Sequence, residues 1–514
     1  MSKNVFTQLF GPHASSASPF IELPDGSTLA YRDSHAATAR LAHRLVALGV
    51  KPGDRVAAQV ERSVEAIHLY LATVRVGGVF LPLNTAYTLP ELEYFVGDSE
   101  PALVVCSPER AQAVARFTEP KGQVRTLDAN GRGSLNEGVE TLPSRYDDVA
   151  RADDDFAAIL YTSGTTGRSK GAMLSHGNLA SNALALAQFW RYTERDRLIH
   201  ALPLFHTHGL FVAINVTIAA GASVILLAKF DPDHIVELFK RATVLMGVPT
   251  FYTRLLQHPG LSREAVAHMR LFVSGSAPLA ADTHVEWKER TGQAILERYG
   301  MTETNMNSSN PYEGERKPGS VGFPLPGVEI RITDAQTGAE LARGEAGEIE
   351  IRGPNVFKGY WRMPDKTAAE FRPDGFFRSG DVGVFDADGY LNIVGRAKDL
   401  IISGGYNVYP KEVEDEIGQL AGVAESAVVG LPDKDFGEAV AAVIVRAPGA
   451  KVGVAAVRAA LESRLARYKL PRKIVFVRSL PRNAMGKVQK NVIREALCSA
   501  TPSTSLPIEE EQPS

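Results

Sequence analysis

The apolar positions of this chain fall into two textures. From about residue 28 to residue 280, short aliphatic runs alternate with amphipathic stretches of helical spacing. "DRVAAQV" (54–60) precedes the helix-like "SVEAIHLYLATVRVG", and "GVFLPLN" (78–84) and "ALVVCS" (102–107) follow as strands. Farther on, "ASVILLA" leads into "DHIVELFKRA", then comes "TVLMGVPT", and "MRLFVSG" precedes a helix opened by Pro278. Strands that are apolar throughout are buried on both faces. Their alternation with helices predicts an α/β fold of parallel-rich sheets with helices on either side. Between about 320 and 395, short alternating strands such as "VEIRIT" and "GEIEIRG" are separated by glycine turns, which predicts an antiparallel sheet or small barrel.

"GRAKDLIISGGYNVYP" (395–410) marks a boundary. Beyond it lie a Pro-initiated helix (410–420), the strands "ESAVVGL" and "AVAAVIV", a helix near 453–467, the strand "KIVFVRSL" and a last helix after Lys487. The predicted organisation is a large N-terminal domain (1–397), a small mobile α+β domain (398–498) and a polar, proline-bearing tail (499–514) that reads as disordered. One uncharged stretch, "GLFVAINVTIAAGASVILLA" (209–228), could span a bilayer by length alone. "AAGAS" interrupts it, so a buried helix, a turn and a short strand are expected there, and no membrane partner.

Composition changes this picture little. The 514 residues are 44% hydrophobic and 22% charged, values of a globular protein with a large core. With 56 basic against 59 acidic residues the net charge is −3, no electrostatic footprint for nucleic acid or an anionic membrane. Two distant cysteines, Cys106 and Cys498, argue against a disulfide framework or zinc site and make the reducing cytoplasm the expected location.

The polar texture is densest at "YTSGTTGRSKG" (161–171), directly after the strand-like "AAILY" (157–161). Glycines leave backbone N–H groups free to point inward, hydroxyls add donors and magnesium ligands, and a lysine adds charge, the components of a phosphate cradle. The spacing does not fit Gly-x-x-x-x-Gly-Lys-Ser/Thr, and "GAMLS" (171–175) reads as a second strand with the helix starting near Asn178. Taken alone, such a loop is more often a linker than a phosphate site.

It has companions: "ALPLFHTHG" (201–209), "FVSGSAPL" (272–279), "ERYGMTET" (297–304), "FRSGDVG" (377–383), "GRAKDLIISGGYNVYP" and "PRNAMGKVQK" (481–490). With these motifs in this order, from about residue 20 to 495, the chain resembles the acyl-adenylate-forming superfamily of acyl-CoA synthetases, peptide-synthetase adenylation domains and luciferases. The resemblance implies ATP and CoA as substrates, Mg2+ as cofactor, and an acyl-AMP intermediate. It implies that Thr162, Ser163, Gly164, Thr165, Thr166 and Lys170 hold the β- and γ-phosphates, that Thr302 bonds the α-phosphate, and that Glu303, with Thr162, binds the metal. Ser274–Pro278, with Ser276 and Ala277, would contact adenine, and Glu297, Tyr299 and Gly300 complete the nucleotide set. Asp381 would accept the ribose hydroxyls beside Arg396, although a bare "SGD" is also an Asx turn. Lys487 would bridge carboxylate and phosphate oxygens during adenylation. Lys398 matches the hinge, and Ser403, Gly404, Gly405 and Tyr406 would line the CoA tunnel. "PRNAMGK" also resembles an acetylation-controlled loop, making a lysine acetyltransferase a candidate partner.

The acid would be met by His206, His208, Ser274, Met306, Arg254 and Arg298. Arg254 lies in apolar "VPTFYTRLL" and Arg298 directly precedes "YGMTE". A guanidinium near a buried pocket needs an anion, either a second substrate carboxylate or a protein acid such as Glu297 or Glu303. These two stretches resemble the malonyl-CoA synthetase branch, which implies malonate or methylmalonate. The alternatives are a ligase for another short- or medium-chain or aryl acid, an ADP-forming kinase or ATPase, and a nonenzymatic acyl or nucleotide binder.

Overall fold

The structure, a computed structural model, describes residues 2–162, 169–403, 406–433, 436–483, 487–498 and 506–507. Ser163, Gly164, Thr165, Thr166, Gly404 and Gly405 lie outside the described residues. Contacts group the chain into two compact units: Met1–Ile330 with Ile351–Phe377, and Arg331–Glu350 with Arg378–Ser514.

Two large sheets form the first unit. One runs Gln123–Thr126, Leu103–Cys106, Arg55–Gln59, Val79–Pro82, Phe156–Thr162, Lys170–Ser175, parallel except for the last pair. Every residue of Val79–Pro82 and of Leu103–Cys106 is buried, as strands covered on both faces must be. The helices between them start where the sequence supplies acceptors for orphan N–H groups. Ser63 caps Val64–Arg75, and reciprocal capping boxes open Leu89–Ser99 (Thr88, Glu91) and His176–Phe189 (Ser175, Asn178).

The second sheet has nine strands. At its centre, Leu296–Met301, Leu271–Ser274, Val244–Gly247, Arg197–His200 and Ser223–Leu226 lie side by side and parallel. Asn305–Ser309 adds antiparallel to Leu296–Met301. The apolar 209–228 stretch resolves into a fully buried π-helix, His208–Ile214, the short helix Asn215–Ala219, a turn and the strand Ser223–Leu226. Among the described residues no helix is long and apolar enough to cross a membrane. The helix expected to open at Pro278 begins instead at Ala281, because Ser276 adopts a left-handed φ of 71° and turns the chain first.

A strap over residues 354–361 closes the edge of the six-stranded sheet. Met173 N donates to Gly359 O, Lys358 N to Met173 O and Trp361 N to Gly171 O, so the strap pairs with Lys170–Ser175 like an added strand. Asn178 Nδ2 holds its start through Pro354 O and Val356 O at 2.7 and 2.8 Å.

In the second unit, Phe377–Phe385 and Leu391–Arg396 pair antiparallel within a four-stranded sheet completed by Glu329–Thr333 and Gly347–Arg352. A five-stranded sheet follows, built on Val423–Asp433 and Gly437–Arg446. Its period-two alternation sends Val428, Ala442 and Ile444 toward the helices Pro410–Gly418 and Val454–Glu462. Ala427, Val429, Ala441 and Val443 face Lys490–Cys498. Leu506, in the tail read as disordered, is buried in that second cluster, and Pro507 O accepts from Arg478 N.

Candidate active site

One hairpin carries seven of the expected site residues, Glu297 to Gly300, Thr302, Glu303 and Met306. Leu296–Met301 and Asn305–Ser309 pair antiparallel, with Met301 opposite Asn305, so Thr302, Glu303 and Thr304 form its tip. Asn305 takes a φ of 49°, and a Cβ at Gly300 would collide with Asn305 O, so the close approach at the tip requires glycine there. Met306 is buried behind it, exchanging hydrogen bonds with Asn182.

Glu303 is buried and its Oε1 accepts from Tyr360 Oη at 3.0 Å. Its backbone O accepts from Phe357 N at 2.7 Å, and Asn355 Nδ2 donates to Thr304 O at 2.7 Å. The strap therefore grips the hairpin tip as well as the Lys170–Ser175 strand. Lys170 stands opposite Thr162 where the glycine-rich loop leaves the sheet. Its Nζ lies 4.2 Å from the Tyr360 ring centroid and 3.4 Å from Glu370 Oε1, which Lys366 also approaches at 2.7 Å. Burial and the charges of Glu303 and Glu370 push the Tyr360 phenol far up, so it is a hydrogen-bond donor at neutral pH. Sequence reading missed Tyr360 and Glu370, and "KGYW" offers no motif that would have singled them out.

The parallel strands end in a second constellation. Arg298 is 4% exposed, and its Nε and Nη2 have no hydrogen-bond partner among the described residues. Its guanidinium packs against Gly275, where a Cβ would overlap it. Burial pushes Arg298 down to about 9. Ser274 Oγ and His208 Nε2 are also buried without partners among the described residues, while His208 Nδ1 is 3.2 Å from Ser276 Oγ. Burial first, then the nearby Arg298, holds His208 well below the usual imidazole range, so it is neutral. His206 is half-buried with its ring 4.6 Å from that of Phe205. Ala277 is half-buried beside Ser276, and Tyr299 is buried.

The protein acids near Arg298 in sequence are engaged elsewhere: Glu297 Oε1 faces His284 Nδ1 at 3.2 Å and accepts from Gly319 N, and Glu303 holds Tyr360. Arg254 differs from its expectation. It is exposed on the helix Pro249–Leu256, with its guanidinium 6.0 Å from the Phe230 ring, because the apolar face of that helix points Phe251, Tyr252 and Leu255 inward and leaves position 254 outside.

In the second unit, Asp381 is buried opposite Arg396, whose Nε lies 3.0 Å from Asp381 Oδ1. Lys398 follows in the 3-10 turn Ala397–Asp399; desolvation and the neighbouring Arg396 lower its pKa. Ser403 is buried and pairs with Tyr406 across a hairpin. Lys487 is half-buried at the foot of another hairpin, where Asn483 Oδ1 accepts from its backbone N at 3.0 Å and Arg482 pairs with Val488.

The fold is that of an AMP-forming acyl-CoA ligase, and the chain belongs to the AMP-binding enzyme family: residues 13–361 match the AMP-binding enzyme and 412–487 its C-terminal domain. The whole structure is similar to ATP-bound MatB from Rhodopseudomonas palustris, at 59% identity and a TM-score of 0.95, covering 96% of this chain and 99% of that one. A malonate–CoA ligase of Arabidopsis thaliana is 36% identical over 484 residues, 87% of this chain and 79% of that protein. A feruloyl-CoA synthase of Amycolatopsis is 37% identical over 473 residues, 91% of this chain and 94% of that protein.

Proposed function

We propose that this enzyme joins malonate, or methylmalonate, to CoA through an acyl-AMP intermediate. The observation that carries the choice of acid is Arg298, a buried guanidinium whose Nε and Nη2 have no partner among the described residues and which stands beside the unpartnered Ser274 Oγ and His208 Nε2. A carboxylate in that pocket would supply charge-assisted hydrogen bonds that nothing else there supplies. A monocarboxylic acid presents only the reacting carboxylate and leaves the guanidinium uncompensated. Arg254, exposed in this structure, would guide the dicarboxylate in rather than hold it at depth.

In the first half-reaction a carboxylate oxygen attacks the α-phosphorus, and the bond to the bridging oxygen breaks to release pyrophosphate. Lys170 with Thr162, Ser163, Gly164, Thr165 and Thr166 is assigned the leaving phosphates, Thr302 the α-phosphate, and Ser276 and Ala277 the adenine. Asp381, oriented by Arg396, is assigned the ribose, and Lys487 the charge that develops between carboxylate and phosphate. In the second, the CoA sulfur attacks the acyl carbon, AMP leaves and the thiol proton passes to solvent. Lys398 is the proposed hinge at the 397/398 boundary, with Ser403 to Tyr406 beside the pantetheine arm and His206 near the reacting carboxylate.

Magnesium fits this donor set. Among the described residues no group of three His, Cys, Asp or Glu could cage a metal, whereas one buried carboxylate suits an ion held mainly by phosphates and water. Glu303 and Thr162 would hold it, and it would neutralise phosphate charge. A cytoplasmic setting and acetylation of Lys487 belong to the same proposal.

A panel of acids assayed with ATP, Mg2+ and CoA, reading AMP and acyl-CoA, tests the whole. Malonate should lead, with AMP and pyrophosphate formed. A preference for aryl acids would favour the reading that the feruloyl-CoA synthase likeness supports. ADP as product would overturn the mechanism.

A further inference from the structure

Three features outside the assigned roles meet at one side chain. The Tyr360 hydroxyl donates to Glu303 Oε1 at 3.0 Å, its ring lies 4.2 Å from Lys170 Nζ, and its backbone N is fixed by Thr367 Oγ1 at 2.9 Å. Tyr360 is 2% exposed, and the backbone on either side of it pairs with the Lys170–Ser175 strand through Gly359 O and Trp361 N.

We propose that Tyr360 is a positioning residue for the triphosphate end of the site, aiming the Glu303 carboxylate with its hydroxyl and seating the Lys170 ammonium on its ring. This rests on the proposed assignment of Glu303 to the metal and Lys170 to the phosphates. The two contacts use different parts of one side chain. A buried hydroxyl that donates to a carboxylate fixes which oxygen faces away from it, and a charge-assisted bond of this kind is among the stronger ones. The ring face attracts the ammonium electrostatically, and the attraction strengthens when the pair is partly desolvated. Glu370, 3.4 Å from Lys170 Nζ and 2.7 Å from Lys366 Nζ, holds the same ammonium from the side. The result is a mechanical link between residues 133 positions apart in the chain: whatever moves the metal-facing carboxylate also moves the seat of the phosphate lysine.

Because hydroxyl and ring act separately, two substitutions separate them. The experiment is calorimetric titration of the full-length enzyme with ATP, in the absence of acid and CoA, once in excess chelator and once in Mg2+. Tyr360→Phe should keep chelator-condition ATP affinity within about twofold, because the ring remains. It should lose most of the gain in affinity that Mg2+ confers, a drop of about tenfold, or roughly 1.4 kcal/mol. Tyr360→Leu should weaken ATP about fivefold even in chelator, because Lys170 loses its seat. The KM for the acid should stay within twofold in Tyr360→Phe, whereas a purely structural role would shift it as well. Equal losses with and without Mg2+, or a full Mg2+ gain in Tyr360→Phe, would overturn the proposal. Glu303→Gln is the control. If it abolishes the Mg2+ gain while Tyr360→Phe keeps it, only the role of Tyr360 is wrong; if Glu303→Gln itself keeps the gain, the assignment of Glu303 fails and the proposal falls with it.

Discussion

Replacing Arg298 by methionine should make the enzyme sturdier and nearly blind to its acid. The reasoning starts from the ligand-free pocket, where a 4% exposed guanidinium has two nitrogens, Nε and Nη2, without partners among the described residues. Burial pushes its pKa down against the opposing pull of the nearby Tyr252, so the charged form is held in an unfavourable place. Methionine fills similar space without charge, so unfolding free energy should rise by about 1–4 kcal/mol. With the dicarboxylate bound the balance reverses. Removing one member of a buried, hydrogen-bonded charge pair costs about 2–5 kcal/mol, a fall in kcat/KM of roughly 30-fold to several thousand-fold. The assay is kcat/KM for malonate beside a monocarboxylate such as propanoate, with thermal unfolding of the free protein in parallel. Malonate should fall by that factor while propanoate holds or improves. An unchanged malonate-to-propanoate ratio together with a less stable variant would refute the argument.

Three further outcomes follow from the same geometry. Gly275→Ala places a methyl against the Arg298 guanidinium at an ordinary negative-φ position, so malonate kcat/KM should fall about tenfold with propanoate spared; equal losses would point to general damage. Lys487→Ala should lose adenylation, measured by pyrophosphate exchange, yet convert supplied acyl-AMP to thioester at near wild-type rate, and equal failure of both steps would remove its assigned role. Burial holds His68, His176 and His200 each at about 4, so between pH 6.5 and 4 the unfolded chain binds more protons and stability falls with pH, by up to roughly 3 kcal/mol per histidine. Denaturant midpoints at pH 7 and 4.5 measure that slope, and His176→Asn should flatten it.

What could be read from the sequence was whatever repeats with a period or travels as a motif. "AAILY" and "GAMLS" emerge as the antiparallel pair Phe156–Thr162 and Lys170–Ser175, and the Ser175–Asn178 box starts the helix where the polar pattern placed it. "YGMTE" becomes a hairpin tip, with Glu303 buried. Arg254 shows the limit: an apolar run suggested a place beside the acid, but on a helix only the residues three and four apart share the inward face, and exposed Arg254 falls between Phe251 and Leu255. The π-helix at His208–Ile214 replaces an expected ordinary helix because such a widened turn leaves no periodic signature in a wholly apolar run. Tyr360 was invisible for a different reason. Its partners lie 57 and 190 positions earlier, Glu303 and Lys170, and only the folded strap brings them together.

That strap also bears on how the chain survives its own synthesis. Until residue 361 has left the ribosome, Lys170–Ser175 is the bare rim of a six-stranded sheet, offering unpaired N–H and C=O groups to any neighbouring strand. A shorter nascent segment carries all six strands of that sheet and still presents a template for edge-to-edge association. The strap that holds Glu303 and pairs with Lys170–Ser175 thus also ends a window of vulnerability to aggregation, so a lesion in it should lower the yield of folded enzyme.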